Sequence, residues 1–520
     1  PAAFVWAIYE MEARLEAAAA AVAKGEDKYP VRLPYGIAVA PKGAGFYGEG
    51  TNLAHNLPLG GNPSRDVEAL EHFNDGARRL WVPASDLKKQ IAKLNHHESA
   101  SRPKEREHPL AARDVQLHRV PALASKPVPK NRLDSSSWKR FSPMEAVDAM
   151  FLATVKANPH LRPRVGNPDE MKSNRLIKTL EALNFRVTEP EPGIPENVHG
   201  AVITALNEEA VASAALANKG GINLIHTYEA FGTKMQGVVR QELIFASHCN
   251  EVGMCRQNWL SVPLMLTSGV WENSKNELSH QDPSMAEAML GELSDVSRVL
   301  FPADYNSAAV LTRAVYQTHR QIWTVALAKY EAIPSLFTPD ECMQMMGQGA
   351  LHLDWAGYKT EKANLILTAI GGYQLEQALK ASNRLSERDI PHSVVYMLEP
   401  GRFRTPRSEG EREHAVPEDF RNLMYPPSVP DRIFIVHTRP EPMLGVLQPL
   451  NTGPSHTACL GFIGRGGTLT PDGMLYINRC TWAHILMESA HLLKIPATKL
   501  LTRKEIAALE GKANPEGVII

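Results

Sequence analysis

The stretch from residue 259 to residue 328 constrains the fold of this 520-residue chain more than any other part of its sequence. It opens with a nearly continuous apolar run at 259–271, which a proline interrupts and which is too short to cross a membrane. A polar loop then stops the run, a pattern typical of a buried strand. Helix and strand patterns follow in alternation, at 285–293, 296–301, 307–318 and 322–328. This order predicts an α/β fold with a parallel sheet.

The polar loop at 272–283 lies where such a sheet would bind a ligand. In parallel sheets, ligands bind at the carboxyl ends of the strands, and this loop leaves one strand at that edge. We therefore expect four polar side chains to converge on one crevice, those of Asn273, Asn276, His280 and Lys329. From these residues alone, a solvated loop whose Asn and Ser residues only form turns remains an open alternative.

Composition limits the classes of function that the chain can have. The formal net charge of −1 gives no electrostatic reason to expect nucleic acid or an anionic membrane as a partner. Five cysteines, an odd number without metal-type spacing, suit a reducing cytoplasmic setting. The apolar runs are too short for a spanning helix, and the N-terminus lacks a signal pattern. We expect a cytoplasmic protein of more than one domain.

Changes in pattern divide the chain into four parts. Residues 96–140 hold ten Lys or Arg, five acidic residues and five prolines with little periodicity, which predicts a tether. Residues 1–95 precede it, and two α/β domains are expected at 141–345 and 346–520. The last domain has strand patterns at 364–370, 393–398 and 433–437 but no catalytic motif of its own.

A short strand pattern at 37–40 leads into a loop rich in glycine, asparagine and proline. Gly43, Gly45 and Gly48 fit the G-x-G-x-x-G spacing of a dinucleotide site. That site requires a helix directly after the glycines. The asparagine, glycine and proline residues between 52 and 63 prevent a regular one, so we reject a dinucleotide-binding fold.

Two further polar groupings have a structural interpretation beside a functional one. Ser173 and Arg175 could hold a phosphate, because a guanidinium offers a planar fork of donors, but Ser173 could also cap a helix. Glu208 and Glu209 open an alanine-rich helix, where acidic residues interact favourably with the helix dipole and often do no more. The residues alone leave both alternatives open.

A family resemblance rests on several of these motifs together. The segment SGVWENSKNELSHQDP resembles SHVWRQDHNGFSHQDP of phosphoketolases, thiamine diphosphate enzymes that cleave ketose phosphates. The segments APKGAG…AHNLPL, NPDE…SNRL and YEAF are similar to TPKGW…AHQVPL, GPDE…SNRL and YEAF or YESF of the same family. The resemblance implies consecutive transketolase-like α/β domains with mainly parallel sheets. The domain at 141–345 would have the thiamine diphosphate-binding fold and bind the pyrimidine, and a C-terminal α/β domain would follow.

The matched positions imply roles for individual residues. Glu208 aligns with the catalytic glutamate that contacts the cofactor's pyrimidine, although the spacing to Tyr228 leaves Glu209 as an alternative. His280 and His55 are implied to move protons on the substrate. The other implied cofactor contacts are Tyr228, Phe231 and Lys42, and the implied substrate or phosphate contacts are Ser173, Arg175, Lys329, Asn273 and Asn276.

The anchor for the cofactor's diphosphate is missing from the sequence. Thiamine enzymes hold it through Mg²⁺ at a Gly-Asp-Gly motif, which does not occur here. The resemblance therefore implies thiamine diphosphate and Mg²⁺ as cofactors, with no metal ligand in this chain. The anchor would belong to an N-terminal diphosphate-binding half, part of the same or another chain. The family also implies a homo-oligomer, a dimer or higher, and without the anchor we expect weak cofactor binding or none.

Three functions are compatible with the resemblance. The first is phosphoketolase-type cleavage of a ketose phosphate, giving acetyl phosphate and an aldose phosphate. Glu272 stands where the family has Arg, and Asn273 and Asn56 stand where it has Gln, so an anion at the mouth of the site should repel inorganic phosphate. This departure favours the second function, a thiamine-dependent 3-epimerase or transketolase-type activity on pentulose 5-phosphates. The third is a non-catalytic remnant or subunit that requires a separate diphosphate-binding half.

Overall fold

A computed structural model describes residues 2–26, 31–56, 59–99, 114–253, 258–272 and 276–520. The chain divides into two compact units, residues 1–111 and 112–520. The second unit contains both stretches for which the sequence predicts α/β domains. Among the described helices, none combines the length and the apolar character that a membrane-spanning helix requires.

The first unit is helical in its described residues. Its helices α1 to α4 are Ala2–Lys24, Leu53–Asn56, Val67–Leu80 and Ala84–Ser99. The third helix begins at an N-cap, where the Asp66 carboxylate accepts the N–H of Ala69 at 3.1 Å. The strand predicted at 37–40 does not form, because no described residue of this unit supplies a neighbouring strand to pair with it.

The second unit is built on strands that run mostly parallel. In chain order, β1 to β15 are Arg140–Phe141, Arg162–Gly166, Phe185–Arg186, Glu196–Asn197, Val202–Ile203, Gly221–Tyr228, Val262–Thr267, Ser297–Leu300, Ile322–Ala326, Ile333–Pro334, Ala350–Gly357, Leu365–Ile370, His392–Met397, Arg432–Val436 and Thr457–Leu460. Within the described residues, β2 to β9 form an eight-stranded sheet in the order β4-β3-β5-β2-β6-β7-β9-β8, with every neighbouring pair parallel. The predicted parallel sheet is confirmed.

Helices connect these strands and cover the sheet. In chain order, α5 to α18 are Pro143–Ala157, Ile177–Leu183, Glu208–Leu216, Gln236–Glu251, Ser284–Gly291, Tyr305–Val315, Pro339–Gln348, Gly372–Glu387, Glu409–His414, Glu418–Met424, Pro440–Val446, Pro471–Ile477, Trp482–Leu492 and Arg503–Leu509. The apolar run that opened the sequence forms β7, whose six residues are all buried, as a strand covered on both faces requires. Short 3-10 helices at Glu229–Met235 and Glu277–His280 follow the carboxyl ends of β6 and β7.

A second sheet lies in the C-terminal part of the unit. In the described residues its order is β11-β13-β12-β14-β15, with β11 antiparallel and the other neighbours parallel. Strands β12, β13 and β14 lie within one residue of the three strands that the sequence predicts there, and all three are buried. The fold is α/β with mainly parallel sheets, as expected.

Buried polar contacts join the two sheets. Arg298 on β8 donates to Glu399 after β13, with 2.7 Å between Nε and Oε1, and the His414 ring contacts the same carboxylate at 2.9 Å. Glu229 after β6 meets His437 after β14 at 2.8 Å. Burial alone would raise the pKa of Glu399, but the Arg298 guanidinium and His414 hold it well below the ordinary value. The carboxylate is therefore charged and compensated.

The segment expected to be a tether packs against the second unit from residue 114 onward. Val115 is buried, and the amide oxygen of the buried Asn158 accepts the N–H groups of His118 and Arg119 at 2.8 and 3.0 Å. The side chain of Asn306 binds the backbone of Lys126 in the same way. Residues 114–140 thus differ from a free tether, because buried amides satisfy their backbone groups.

We predict that Glu399→Gln lowers the free energy of unfolding by roughly 3–5 kcal/mol at pH 7, because it leaves the Arg298 guanidinium buried without its carboxylate. Since the folded pKa of Glu399 is depressed, its stabilisation is present above the unfolded pKa of about 4.3 and is lost as pH falls below it. The gap between wild type and variant should therefore narrow in acid. Denaturant unfolding at pH 7 and pH 4 measures this.

The matched control is Glu409→Gln, which breaks an exposed pair with Arg412. It should change the free energy of unfolding by less than about 1 kcal/mol at either pH. Equal losses for the two variants would contradict the prediction.

Candidate functional site

Polar side chains gather where four neighbouring strands of the eight-stranded sheet end. Asn167 follows β2, Tyr228 ends β6, Ser268 follows β7 and Lys329 lies three residues after β9. These strands are adjacent and parallel, so their carboxyl ends meet at one edge. The loops that follow these four strands therefore begin at one edge of the sheet.

A buried chain of hydrogen bonds supports this edge from within the sheet. Asn167 Nδ2 donates to Nδ1 of His226 at 2.8 Å, so Nε2 of that ring carries the proton and donates to Thr267 Oγ1 at 3.0 Å. The Thr267 hydroxyl in turn donates to Asn174 Oδ1 at 2.6 Å. Burial lowers the pKa of His226 to about 3, so the ring is neutral. This chain fixes the loop that carries Ser173 and Arg175.

The predicted phosphate residues lie around Tyr228. Ser173 Oγ is 3.0 Å from the Tyr228 hydroxyl, and Lys329 Nζ lies 5.0 Å from the centre of the Tyr228 ring. Lys329 is buried and donates to Ser268 Oγ at 2.6 Å, which fixes the position of its charge. Arg175 is half-buried with a positive φ of 66°. Ser173 caps no helix, since the next helix begins after Leu176 without a side-chain cap.

The imidazole of His280 joins the aromatic side chains at the same edge. Its ring centre is 4.7 Å from that of Phe231 in an edge-to-face arrangement and 6.4 Å from that of Tyr228. Ser279 Oγ lies 2.8 Å from His280 Nδ1. Partial burial and the charge of Lys234 lower the pKa of His280, so the ring is neutral at pH 7 and able to accept a proton. His280, Phe231 and Tyr228 are therefore neighbours.

The remaining loop residues are placed less closely. Asn276 is exposed at the start of the same 3-10 turn, and its carbonyl accepts the Ser279 hydroxyl at 2.7 Å. Asn273 lies outside the described residues. Lys42 and His55 belong to the first unit, where both are exposed. The roles of these four residues stay predictions.

Glu208 is the better placed of the two candidate glutamates. It opens helix α7, is half-buried and pairs with Lys234 at 3.1 Å, whereas Glu209 is exposed. Lys234 Nζ also lies 4.3 Å from the centre of the Phe231 ring. Carboxylate, lysine and aromatic ring thus form one surface beside His280.

Glu170 is a member of the site to which the sequence assigned no role. It is buried, and its Oε2 has no hydrogen-bond partner among the described residues. Burial, with the nearby charges of Asp169 and Glu208, raises its pKa to about 7, against the opposing Tyr228 N–H and Lys329. Its place in the NPDE motif was the available signal, but burial is not readable from the motif.

Glu272 does not lie at the mouth of the site as the sequence suggested. It is 7 % exposed, and its carboxylate accepts the Lys329 N–H at 2.9 Å and the Tyr373 hydroxyl at 3.1 Å. Burial raises its pKa, despite these hydrogen bonds and the charge of Lys329. The expected repulsion of inorganic phosphate by an anion at the mouth is therefore wrong, because this side chain is turned inward.

The residues present suit the pyrimidine end of a thiamine cofactor. A carboxyl group, a tyrosine and a phenylalanine lie near one another at the strand ends. A polar aromatic ring can bind to such a group, because the carboxyl forms hydrogen bonds with its nitrogens and the aromatic side chains pack against it. No group of three His, Cys, Asp or Glu side chains suited to a metal ion occurs in the described part of the chain.

Comparison with known proteins gives one family. Residues 145–318 match the model of D-xylulose 5-phosphate/D-fructose 6-phosphate phosphoketolase. A protein named Probable phosphoketolase from Brucella abortus is 26% identical over 340 residues, which are 64% of this chain and 42% of that protein. Its namesake from Bifidobacterium animalis subsp. lactis is 24% identical over 451 residues, 83% of this chain and 53% of that protein. The chain thus spans about half the length of these relatives.

Solved transketolases share the fold. The Leishmania mexicana enzyme superimposes with a TM-score of 0.53 at 14% identity, covering 84% of this chain and 54% of its own. The Campylobacter jejuni enzyme gives 0.52 at 14% identity, covering 86% and 60%. A variant of the Pichia stipitis enzyme gives 0.57 at 15% identity, covering 92% and 65%. The predicted transketolase-like fold is confirmed.

We predict that Glu170→Gln stabilises the protein at pH 8 but not at pH 5. The folded pKa of Glu170 is raised, so the wild type loses stability as pH climbs from about 4.5 to 7, at a cost of about 3 kcal/mol, while glutamine cannot ionise. Denaturant unfolding at both pH values measures the difference.

Glu209→Gln is the matched control, because its side chain is exposed. It should leave the pH dependence unchanged. A Glu170→Gln variant that differs from wild type equally at pH 5 and pH 8 would mean that this carboxyl is solvated.

Proposed function

On the premise that residues 145–318 are a phosphoketolase-family domain, we propose that the edge formed by β2, β6, β7 and β9 cleaves a ketose phosphate with thiamine diphosphate and Mg²⁺. The observation that supports this most is the meeting of a fixed cation, a hydroxyl pair and a neutral imidazole there. Tyr228 brings together three residues that are widely separated in sequence. Lys329 and His280 lie beside its ring, and Ser173 lies within hydrogen-bond distance of its hydroxyl.

Lys329 and Ser173 would hold the substrate's phosphate, with Arg175 beside them. Lys329 is buried and already oriented by Ser268, so little side-chain entropy is lost when a phosphate binds. Arg175 is half-buried on the loop that also carries Ser173, and its guanidinium offers a planar fork of donors. Binding energy at this remote group positions the bond that breaks.

Glu208, Tyr228 and Phe231 would hold the pyrimidine. The cofactor supplies the carbanion chemistry once it is bound. Glu208 would hold a proton at the pyrimidine ring. Lys234 contacts both the Glu208 carboxylate and a face of the Phe231 ring, so its movement away would make both available to the cofactor. The pKa of Glu170, raised to about 7 in part by the charge of Glu208, leaves this carboxyl about half protonated at pH 7 and so limits the negative charge at this end of the site.

His280 would move protons on the substrate hydroxyls. Its lowered pKa leaves it neutral at pH 7, the form that accepts a proton. The Ser279 hydroxyl at Nδ1 holds the ring in place, so Nε2 is the nitrogen available to substrate.

A transketolase-type transfer or a 3-epimerisation of pentulose 5-phosphates is the second candidate. The observation that favours it is Glu272, which replaces a family arginine by a buried, inward-facing carboxyl and so removes a cation from the site. Without that cation, attack by inorganic phosphate is less favoured than return of an aldehyde.

The deciding experiment supplies xylulose 5-phosphate, thiamine diphosphate and Mg²⁺ to the native gene product, with and without inorganic phosphate. Acetyl phosphate formed only with phosphate supports cleavage. Epimer or a transferred ketose formed equally in both conditions supports the second candidate. A chain that binds sugar phosphate but turns over none even when a diphosphate-binding half is added would be a non-catalytic remnant.

We predict that Glu208→Gln reduces turnover to the background rate in the enzyme completed with its diphosphate-binding half, because only the exchange of its proton is lost. Glu209→Gln is the matched control and should retain turnover, since that side chain is exposed. Steady-state kinetics on both variants measures this. An inactive Glu209→Gln beside an active Glu208→Gln would shift the assignment by one residue.

We also predict that Lys329→Met weakens binding of xylulose 5-phosphate by roughly ten- to hundredfold, because a charge-assisted contact to the phosphate is lost. Binding of unphosphorylated xylulose should be unaffected. Lys178→Met, which changes an exposed lysine on the same unit, serves as the control. Calorimetry gives the affinities, and equal losses for both sugars would place Lys329 away from the phosphate.

A further inference from the structure

A second cluster of cations lies in the C-terminal part of the chain, in a separate cavity from the site just described. This arginine cavity, of about 490 Å³, is lined by four arginines, by two glutamates, and by apolar and proline side chains that include Phe403 and Val416. The arginines are Arg402, Arg404, Arg412 and Arg421, and the glutamates are Glu413 and Glu418. The volume is that of a small-molecule site.

Two of these arginines are held rigidly by backbone carbonyls. Arg402 donates from Nε to the His414 carbonyl at 3.0 Å and from Nη1 to that of Gly347 at 2.6 Å. Arg404 donates from Nη1 to the carbonyls of Leu290 and Glu292 at 3.0 and 3.2 Å. Both guanidinium groups are therefore fixed in place before any ligand arrives.

Neither of them has a carboxylate of its own. Glu399, the acid nearest Arg402, is bound by Arg298 and His414. Arg402 makes no ion pair within the described part of the chain.

Arg404 shares its acid with another arginine. Its Nη1 lies 3.6 Å from Glu411, whose carboxylate already receives Arg407 at 2.7 Å and the N–H of Ser294. The Nε donor of Arg404 is buried and has no hydrogen-bond partner among the described residues. Such a donor costs free energy until something accepts from it.

Burial lowers the pKa of both Arg402 and Arg404, with Arg298 and Arg407 adding to the effect against the opposing charges of Glu399 and Glu411. Burial without a carboxylate of their own therefore destabilises the charged form of both guanidinium groups. An anion in the cavity would reverse this cost.

The other two arginines are positioned to close on such an anion. Among the described residues, Arg412 and Arg421 form ion pairs only with Glu409 and Glu418, three residues earlier on their own helices. Exposed pairs of this kind are worth little and exchange partners readily.

We propose that the arginine cavity binds a phosphoryl dianion, as inorganic phosphate or as a phosphate monoester. Guanidinium groups match phosphate oxygens in geometry and charge, and Arg404 Nε supplies a donor that is already dehydrated. The apolar side chains of Phe403 and Val416 would contact the body of an ester. This site does not depend on the proposed reaction at the eight-stranded sheet.

The test measures inorganic phosphate binding to the whole chain in a Lys329→Met background, which weakens the other proposed phosphate site. We expect binding to persist there and to weaken roughly ten- to hundredfold when Arg404→Gln is added. Arg313→Gln is the matched control, because Arg313 Nε is also buried without a partner in the described part of the chain, but Arg313 lines a different, mostly apolar cavity. It should leave phosphate affinity unchanged.

Glycerol 1-phosphate is the second probe and separates the two sources. Tighter binding than inorganic phosphate identifies an ester site, and equal or weaker binding identifies a site for free phosphate. If the Lys329→Met chain binds neither probe, or if Arg404→Gln has no effect, the proposal is overturned while the phosphate role of Lys329 still stands. Loss of all binding in Lys329→Met alone has the same meaning.

A folding defect in Arg404→Gln would show as a lowered melting temperature. In that case the variant Arg412→Gln/Arg421→Gln, which changes only the two rim arginines, decides the question. Weaker phosphate binding by that variant supports the cavity as the site, and unchanged binding refutes it.

Discussion

The neutral, fully buried imidazole of His226 is the constraint on which the candidate site depends. Its two ring nitrogens bind Asn167 and Thr267, and Thr267 passes the chain on to Asn174. A protonated ring could not accept a hydrogen bond from Asn167, so the hydrogen bonds of the network run in one direction, from Asn167 through His226 and Thr267 to Asn174. Because these residues come from the loop after β2, from β6 and from β7, the network fixes how the strand ends lie relative to one another.

Charge in the site follows from burial more than from the number of acids. Glu170 and Glu272 both have a pKa raised by burial, and both stand near Lys329. A raised pKa lowers the ionised fraction of each carboxyl, so these acids offset less of the positive charge of Lys329. Such an arrangement suits a phosphorylated, otherwise neutral substrate better than a cation. Helix α12 contributes to it directly, since Tyr373 donates to Glu272.

The two sheets of the second unit are also linked through paired charges, and this pairing has a consequence elsewhere. Glu399 and Glu411 are each bound by cations or N–H groups that hold the fold together. Of the neighbouring arginines in the described part of the chain, Arg402 has only backbone carbonyls as hydrogen-bond partners. Arg404 has backbone carbonyls and a carboxylate that it shares with another arginine. The interactions that stabilise the interior therefore generate the uncompensated cations of the arginine cavity.

The sequence by itself determined the parallel sheet, because buried strands and amphipathic helices leave different apolar periods. It also determined which loops reach the ligand edge, since chain direction assigns each loop to an end of its strand. It could not determine that 37–40 fails to find a pairing strand, that Glu272 turns inward or that the pKa of Glu170 is raised to about 7. Only the tertiary structure decided these, because burial, pKa and ion pairing depend on contacts between residues far apart in the chain.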